Sequence, residues 1–431
     1  MFKKYIKILL VTILFIAMSF PLVSASTSTS ENYSTSTQIC SNTEIATTFT
    51  IAKGFLMQYY YAINLGIDGN DQRSFLDTPQ IDSELARYLK EKIKTEQYVV
   101  STANGEKENY KLDFTILDFE ITNGKIFLSI TTEATYNYLG LKIESGFGEI
   151  TNMVFEKTDC GYVLIDWYTP YGYYDGYVRG YLEKDVLLAT FSKTRYMEYA
   201  VIQEELREKI VNSFTNLYNE DEYVIEIEAE ERNTPTRATL YALNRPNIVT
   251  YARDNIKAYP SSGNGVVTYY DFSSIPGNYD CTNFVSHALL AGGAVVYDTN
   301  NSGISPTGWY FRDISNRSSS WSGVPNLYSF LVNNYVQGPA GTHVAYTTFN
   351  WYLPNHPYAV GDILQFYQSG LYNDWRHSTI ITEFYETSQP NVVGALVTGR
   401  TAIGQYNNND KAELLFPGDD KRVIKLSGYY N

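Results

Sequence analysis

The sequence predicts an α+β protein built in two parts: helices and an antiparallel sheet first, then a second α+β domain in which a cysteine-led helix packs on an antiparallel sheet. Three observations carry this. Apolar residues recur at helical spacing near the start, β-rich runs broken by hairpin turns follow, and a short helix opening on Cys281 precedes a further set of strand-like runs. With 431 residues, 44% apolar, 19% charged and 40 tyrosines, the chain is neither a disordered acidic tail nor a coiled coil. Its formal charge of -14 supplies no positive field to gather a polyanion, which argues against nucleic acid as a partner.

Residues 1–25 carry Lys3, Lys4 and Lys7, an apolar run over 8–20 and the small-residue end Val23-Ser24-Ala25, the layout of a cleaved secretory signal. A retained membrane anchor is the alternative, but Thr12 and Ser19 interrupt a run already short for a span of about 20 residues. The expected location is therefore outside the cell, secreted or associated with the cell wall. Loss of the three lysines takes the charge to -17. Residues 26–43 are Ser/Thr-rich and read as flexible.

An N-terminal α+β domain is expected over 44–190. Ile45, Phe49, Ala52, Phe55, Leu56 and Tyr59 mark one helix, and a second amphipathic stretch runs over 81–93. The period then changes to that of strands over 111–121, 125–138, 141–157 and 162–167, with turns at Asn123-Gly124 and Asp159-Cys160-Gly161. This order is similar to the cone-shaped folds often appended to secreted enzymes, a likeness that assigns no function. The tyrosine cluster at 171–177 reads either as a Tyr-rich loop or as a surface that stacks on sugar rings. Residues 191–239 hold a packing helix, marked by Tyr199, Ile202, Leu206, Ile210 and Phe214, and an acidic connector with seven acidic residues over 220–231.

The last domain, 240–431, holds all four histidines. Asn244 and Pro246 open a helix, and a second helix begins at Asp280-Cys281-Thr282-Asn283 and is stopped by Gly292-Gly293. With three cysteines, one stands alone: Cys40 and Cys160 pair or remain as buried thiols, and Cys281 is left over. At a helix N-terminus the dipole and free N–H groups favour thiolate, which makes Cys281 a candidate nucleophile. Asp280 is placed to cap that helix and partly opposes the effect. A cysteine nucleophile needs a base in reach. His287 is six residues on and points away, while His343 and His356 read as loop histidines. His377, which opens a strand returning from Gly361-Asp362 and the run after it, is the candidate base. The histidines form no HExxH and the cysteines no CxxC, so no metal and no other cofactor is expected.

Asn244-Arg245, Tyr251-Ala252, Asp280-Cys281-Thr282-Asn283-Phe284-Val285-Ser286, Ala291-Gly292-Gly293, Trp309-Tyr310, Ser320-Trp321, Gly361-Asp362 and His377-Ser378 occur in one order. In this the chain resembles the putative amidase domain family of Gram-positive bacteria over roughly 240–430, a family similar in organisation to papain-like cell-wall amidases and peptidases. The resemblance implies Cys281 as nucleophile, His377 as general base and then acid, the Cys281 N–H in an oxyanion hole, and Asp280, Thr282 and Asn283 as supports. It implies peptidoglycan or its peptide stems as substrate, with Trp309, Trp321 and Trp375 as candidate cleft walls. One departure stands out: where the family pattern places a His-Thr pair to orient the imidazole, this chain has Arg400-Thr401, and arginine accepts no hydrogen bond. Thr398, Asp374 or Asn407 are the other candidate orienters. The competing readings are a wall- or glycan-binding module that keeps the fold without the reaction, and an acyl-transferring variant.

Overall fold

The computed structural model describes residues 35–66, 74–170, 172–182, 196–219, 238–257, 272, 279–352, 355–370, 372–387, 389–402 and 404–431. The expected signal over 1–25 and the acidic run over 220–231 lie outside the described residues.

The chain opens with α1 (Thr35–Asn64) and α2 (Ser83–Thr102), followed by a four-strand meander, β1 (Lys107–Thr122), β2 (Lys125–Tyr138), β3 (Glu144–Thr158) and β4 (Gly161–Tyr168). Helix α1 reaches back to Thr35, into the stretch expected to be flexible, because a nucleated helix gains one hydrogen bond for each residue it adds. Helix α2 starts where the Asp82 carboxylate accepts the Glu84 and Leu85 N–H groups, at 3.0 and 3.3 Å. The alternation of β2 is complete, with every second side chain buried. Leu56, Tyr59, Leu85, Leu89, Ile126, Leu128, Met153 and Phe155 meet in one core between the two helices and the sheet.

Cys160 is a free, exposed thiol in the β3–β4 turn. The expectation of a bridge to Cys40, or of a buried thiol, is thereby corrected for Cys160: a two-residue turn between long strands has no interior to hide it. The tyrosine cluster is also not a loop. It forms α3 (Tyr173–Leu182), whose Tyr173 and Val178 are buried. Helix α4 (Tyr196–Asn219) buries Tyr199, Ile202, Leu206, Ile210 and Phe214, the stripe its spacing predicts.

The C-terminal part contains β5 (Leu240–Tyr241), α5 (Arg245–Asp254), α6 (Cys281–Ala291), a small sheet of β6 (Ile304–Ser305), β7 (Phe311–Asp313) and β8 (Asn316–Ser318), then α7 (Ser319–Ser322) and α8 (Val324–Asn333). It ends in β9 (Gly338–Ala345), β10 (Phe349–Asn350), β11 (Ile363–Gln368), β12 (Asp374–Glu386), β13 (Val392–Ala402), β14 (Gln405–Lys411) and β15 (Lys421–Tyr430). His343 lies on strand β9 rather than in a loop, and remains exposed. The large sheet runs in the order β1-β2-β3-β14-β13-β12-β11-β15-β5. The joint between the two parts is the antiparallel pairing of β3 and β14, with Tyr406 opposite Gly148 and Asn408 opposite Gly146.

Period-2 alternation gives the C-terminal sheet two different faces. Ile363, Ile380 and Ile424 pack under α5 and α6 with Ile248, Phe284 and Leu289. Leu364, Phe366, Ile381, Val397 and Ala412 belong to a separate cluster on the opposite face.

Candidate active site

The first turn of α5 is built as the sequence predicts: Asn244 Oδ1 accepts the Asn247 N–H at 3.1 Å and Pro246 occupies the first turn. Arg245 reaches the buried Asp362 carboxylate at 2.7 Å and donates to the Val360 and Leu426 carbonyls. Asp362 in turn accepts the N–H groups of Ala359 and Leu426. These contacts fasten α5 to the ends of β11 and β15. The preceding Gly361 has φ +89 and lies against Arg245, so a side chain there would be both strained and crowded.

Helix α6 starts at Cys281 and is capped by Gly292 just past Ala291, and its first nine residues are buried. The Asp280 N–H donates to the Thr401 carbonyl at 2.9 Å, which pins the start of the helix to β13. Asp280 does not cap the helix with its side chain, contrary to expectation. Its carboxylate is claimed elsewhere: it accepts from Asn283 Nδ2 at 3.0 Å and the Phe272 N–H at 3.1 Å, and lies 3.4 Å from Arg400 Nε. Asn283 Oδ1 accepts the Trp321 indole N–H at 2.7 Å. The result is a buried chain, Trp321 to Asn283 to Asp280 to Arg400, in which every link is a side chain. Asp280 and Asn283 thus hold the helix start in place.

Cys281 Sγ sits 3.7 Å from the Arg376 carbonyl and 3.8 Å from Thr282 Oγ1. Thr282 Oγ1 also lies 3.2 Å from Ser378 Oγ, which accepts from Gln365 Nε2 at 3.1 Å. Burial pushes the thiol pKa up, against the opposing pull of the Ser378 N–H and the Thr282 hydroxyl. The sequence expectation is that the helix terminus lowers this pKa; Cys281 is 2% exposed, and its loss of solvent pulls the other way. Beside it, the Arg376 guanidinium stacks on Tyr372 and Tyr279, 3.9 and 5.2 Å from their ring centres.

His377 is on β12, one residue before Ser378, and therefore on the other face. Ser378 pairs with Gln365 beneath α6, while His377 pairs with Phe366. The imidazole stacks on Phe416 at 5.7 Å and lies 6.0 Å from Phe366, in the cluster away from the helix. Among the described residues no hydrogen bond joins it to Cys281. Burial alone brings its pKa down to about 4, so it is neutral at pH 7. A bulge at Arg376, where the register shifts between Phe366 and Tyr367, sets which face His377 takes. Arg400 does not stand in for an orienting group. Its side chain faces Asp280, across the sheet from the imidazole, and so is not what lowers the His377 pKa. Of the candidate orienters, Thr398 gives its hydroxyl to the Asn408–Asn409 segment, Asp374 is exposed, and Asn407 donates to Asp410.

Trp309 and Trp321 are fully buried core residues rather than cleft walls, and Trp375 is half-buried under the Arg422 guanidinium. His287 packs between Tyr251 and Trp321, away from Cys281. Sequence reasoning missed Gln365 and Ser378, which support Thr282. The signal was a lone polar residue in the apolar run Ile363-Leu364-Gln365-Phe366.

A buried cysteine at the first position of a helix that packs on an antiparallel sheet, with its flanking residues tied down by side-chain hydrogen bonds, defines a site that holds one thiol in a fixed place. Residues 242–426 match the family model described as Putative amidase domain, which points to hydrolysis of amide bonds. No curated protein and no solved structure matches the chain.

Proposed function

We propose that residues 242–426 form a cysteine-type, papain-like amidase or peptidase that acts outside the cell on an amide bond of peptidoglycan, as in Gram-positive walls. The observation that carries this reading is the placement of Cys281 at the head of α6, held by the Asp280–Asn283–Trp321 chain, within the amidase match. In the reaction the Cys281 thiolate attacks the amide carbonyl carbon, and backbone N–H groups at the helix start hold the developing oxyanion. The amine leaves with a proton, and water then hydrolyses the thioester to give the acid and regenerate the thiol. The His377 imidazole serves as base only from the Cys281 face. A one-residue slip of the start of β12 past the Arg376 bulge would bring it there, since side chains alternate between faces. The signal-like start of the chain supports an extracellular substrate.

The position of His377 across the sheet favours a second reading, a wall- or glycan-binding module that keeps the fold without the reaction. Digestion of purified peptidoglycan, followed by mass spectrometry and by the appearance of new amines, separates the two. The hydrolase reading expects fragments from the wild-type protein and none from Cys281→Ala or His377→Ala. Intact walls that co-sediment with the protein and release no amine would sink it in favour of the binding module.

A further inference from the structure

Behind the sheet, on the His377 side, lies a cavity of about 210 Å³ between the N-terminal helices, the meander and strands β12 to β14. Its walls carry charges of both signs, and most of the nearby ones are already matched. Lys92 is bound to Asp175 at 3.0 Å. Asp410 accepts from the Tyr136 and Tyr138 hydroxyls, from Asn407 Nδ2 and from the Lys411 N–H.

Three groups keep unused hydrogen-bonding capacity, although Lys92 attracts both Glu96 and Glu149, and Lys107 feels Asp410 and Glu96. Lys107 Nζ has no ion pair or hydrogen bond among the described residues and sits over aromatic faces, 5.0 Å from the Tyr136 ring centre and 6.0 Å from that of Tyr110. Glu96 and Glu149 each accept one tyrosine hydroxyl, from Tyr59 and Tyr60, and each leaves its other oxygen without a donor among the described residues. To these the cavity adds the His377 imidazole, 4% exposed and holding no hydrogen bond among the described residues. Glu96 and His377 are buried and Lys107 and Glu149 half-buried, and polar groups with capacity to spare around one cavity point to a ligand that completes them.

We propose that this cavity binds a small zwitterion of the free α-amino-acid class, its ammonium on Glu96 and Glu149, its carboxylate on Lys107, and its side chain against Tyr110, Tyr136 and Phe147. The size is right for such a molecule, since drug-sized ligands occupy pockets of roughly 300–1,000 Å³. A neutral sugar would stack on the tyrosines but would bring the Lys107 ammonium, which has no ion pair among the described residues, no anion. Burial raises the Glu96 pKa to about 8, so the carboxyl is protonated at pH 7. An arriving ammonium favours the carboxylate, so binding at pH 7 releases about one proton. The site lies across the sheet from Cys281 and does not depend on whether that thiol cleaves anything.

Calorimetry on the full chain tests this, with L-alanine, D-alanine and L-phenylalanine as probes, each beside its N-acetyl and its C-amide derivative, and N-acetylglucosamine as the neutral sugar. The expected result is saturable binding of at least one zwitterion with proton release at pH 7, weakened in both derivatives. Lys107→Met and Glu149→Gln are expected to weaken it by about 10- to 100-fold. The comparison of derivatives on the wild-type protein needs no variant, and so holds even if a variant fails to fold. Absence of binding by all three zwitterions, derivatives that bind as well as their parents, or binding of the sugar alone would each overturn the proposal.

Discussion

The Arg400 guanidinium lies 3.4 Å from the Asp280 carboxylate, and both side chains are shut away from solvent. The pair joins β13 to the residue that precedes Cys281. Removing the cation leaves a buried carboxylate that still accepts from Asn283 and the Phe272 N–H but has lost the charge opposite it. Arg400→Met is expected to lower stability by about 3–5 kcal/mol, read from urea unfolding. Adding Asp280→Asn should recover part of that loss, because the two residues are coupled. A double variant whose loss equals or exceeds the sum of the single ones would refute the coupling.

The thiols of Cys160 and Cys281 differ in access. Cys160 is exposed and Cys281 is buried with a raised pKa. Iodoacetamide at pH 7, with labelled peptides identified by mass spectrometry, should therefore modify Cys160 well before Cys281. The Cys281 rate should keep rising as the pH passes the ordinary thiol value near 8.5. Rapid labelling of Cys281 at pH 7 that vanishes in His377→Ala would mean that the imidazole visits the Cys281 face.

Glu96 gives a signature on stability against pH. Its pKa rises from an ordinary 4.5 to about 8 on folding, so between those values the native state holds a proton that the unfolded chain has released. Its contribution is present in full below 4.5 and is lost as the pH climbs to about 8. The loss is a few kcal/mol, on the scale of about 1.4 kcal/mol per pH unit. Glu96→Gln should flatten this limb of a melting-temperature series and stabilise the protein above pH 8. A limb that stays as steep in the variant would assign the effect to another group.

Gly399 has no room for a side chain. A Cβ there would come within 2.5 Å of Thr379 Cγ2 and 3.2 Å of His377 Nε2. Gly399→Ala should cost about 1–3 kcal/mol and displace the imidazole from its place beside Phe416. Histidine proton NMR shifts would report the displacement, and an unchanged spectrum with unchanged stability would contradict it.

Local chemistry was legible in the sequence. Asn244 with Pro246, and Gly292 with Gly293, mark helix ends that the structure reproduces, because caps act over three or four residues. Strands β2 and β4 emerge with the expected turns, since Asn123-Gly124 and Asp159-Cys160-Gly161 set the hairpins. The face of His377 was not legible. Period-2 alternation says which residues share a face but not where counting starts, and the single bulge residue Arg376 resets it. The Asp280–Arg400 pair was hidden for another reason: its two residues lie far apart along the chain, which no local pattern encodes. Burial of Cys281, which raises its thiol pKa, is a tertiary property that the local helix pattern does not encode.

The hydrogen-bonded joint between β3 and β14 has a practical consequence. A shortened chain that began near residue 240 would strip β14 of its neighbour and leave the backbone donors and acceptors of Tyr406, Asn407 and Asn408 open to any passing strand. Such a fragment would be expected to self-associate or precipitate. Genetic dissection of this protein is therefore better done by point substitution in the intact chain than by cutting it into halves.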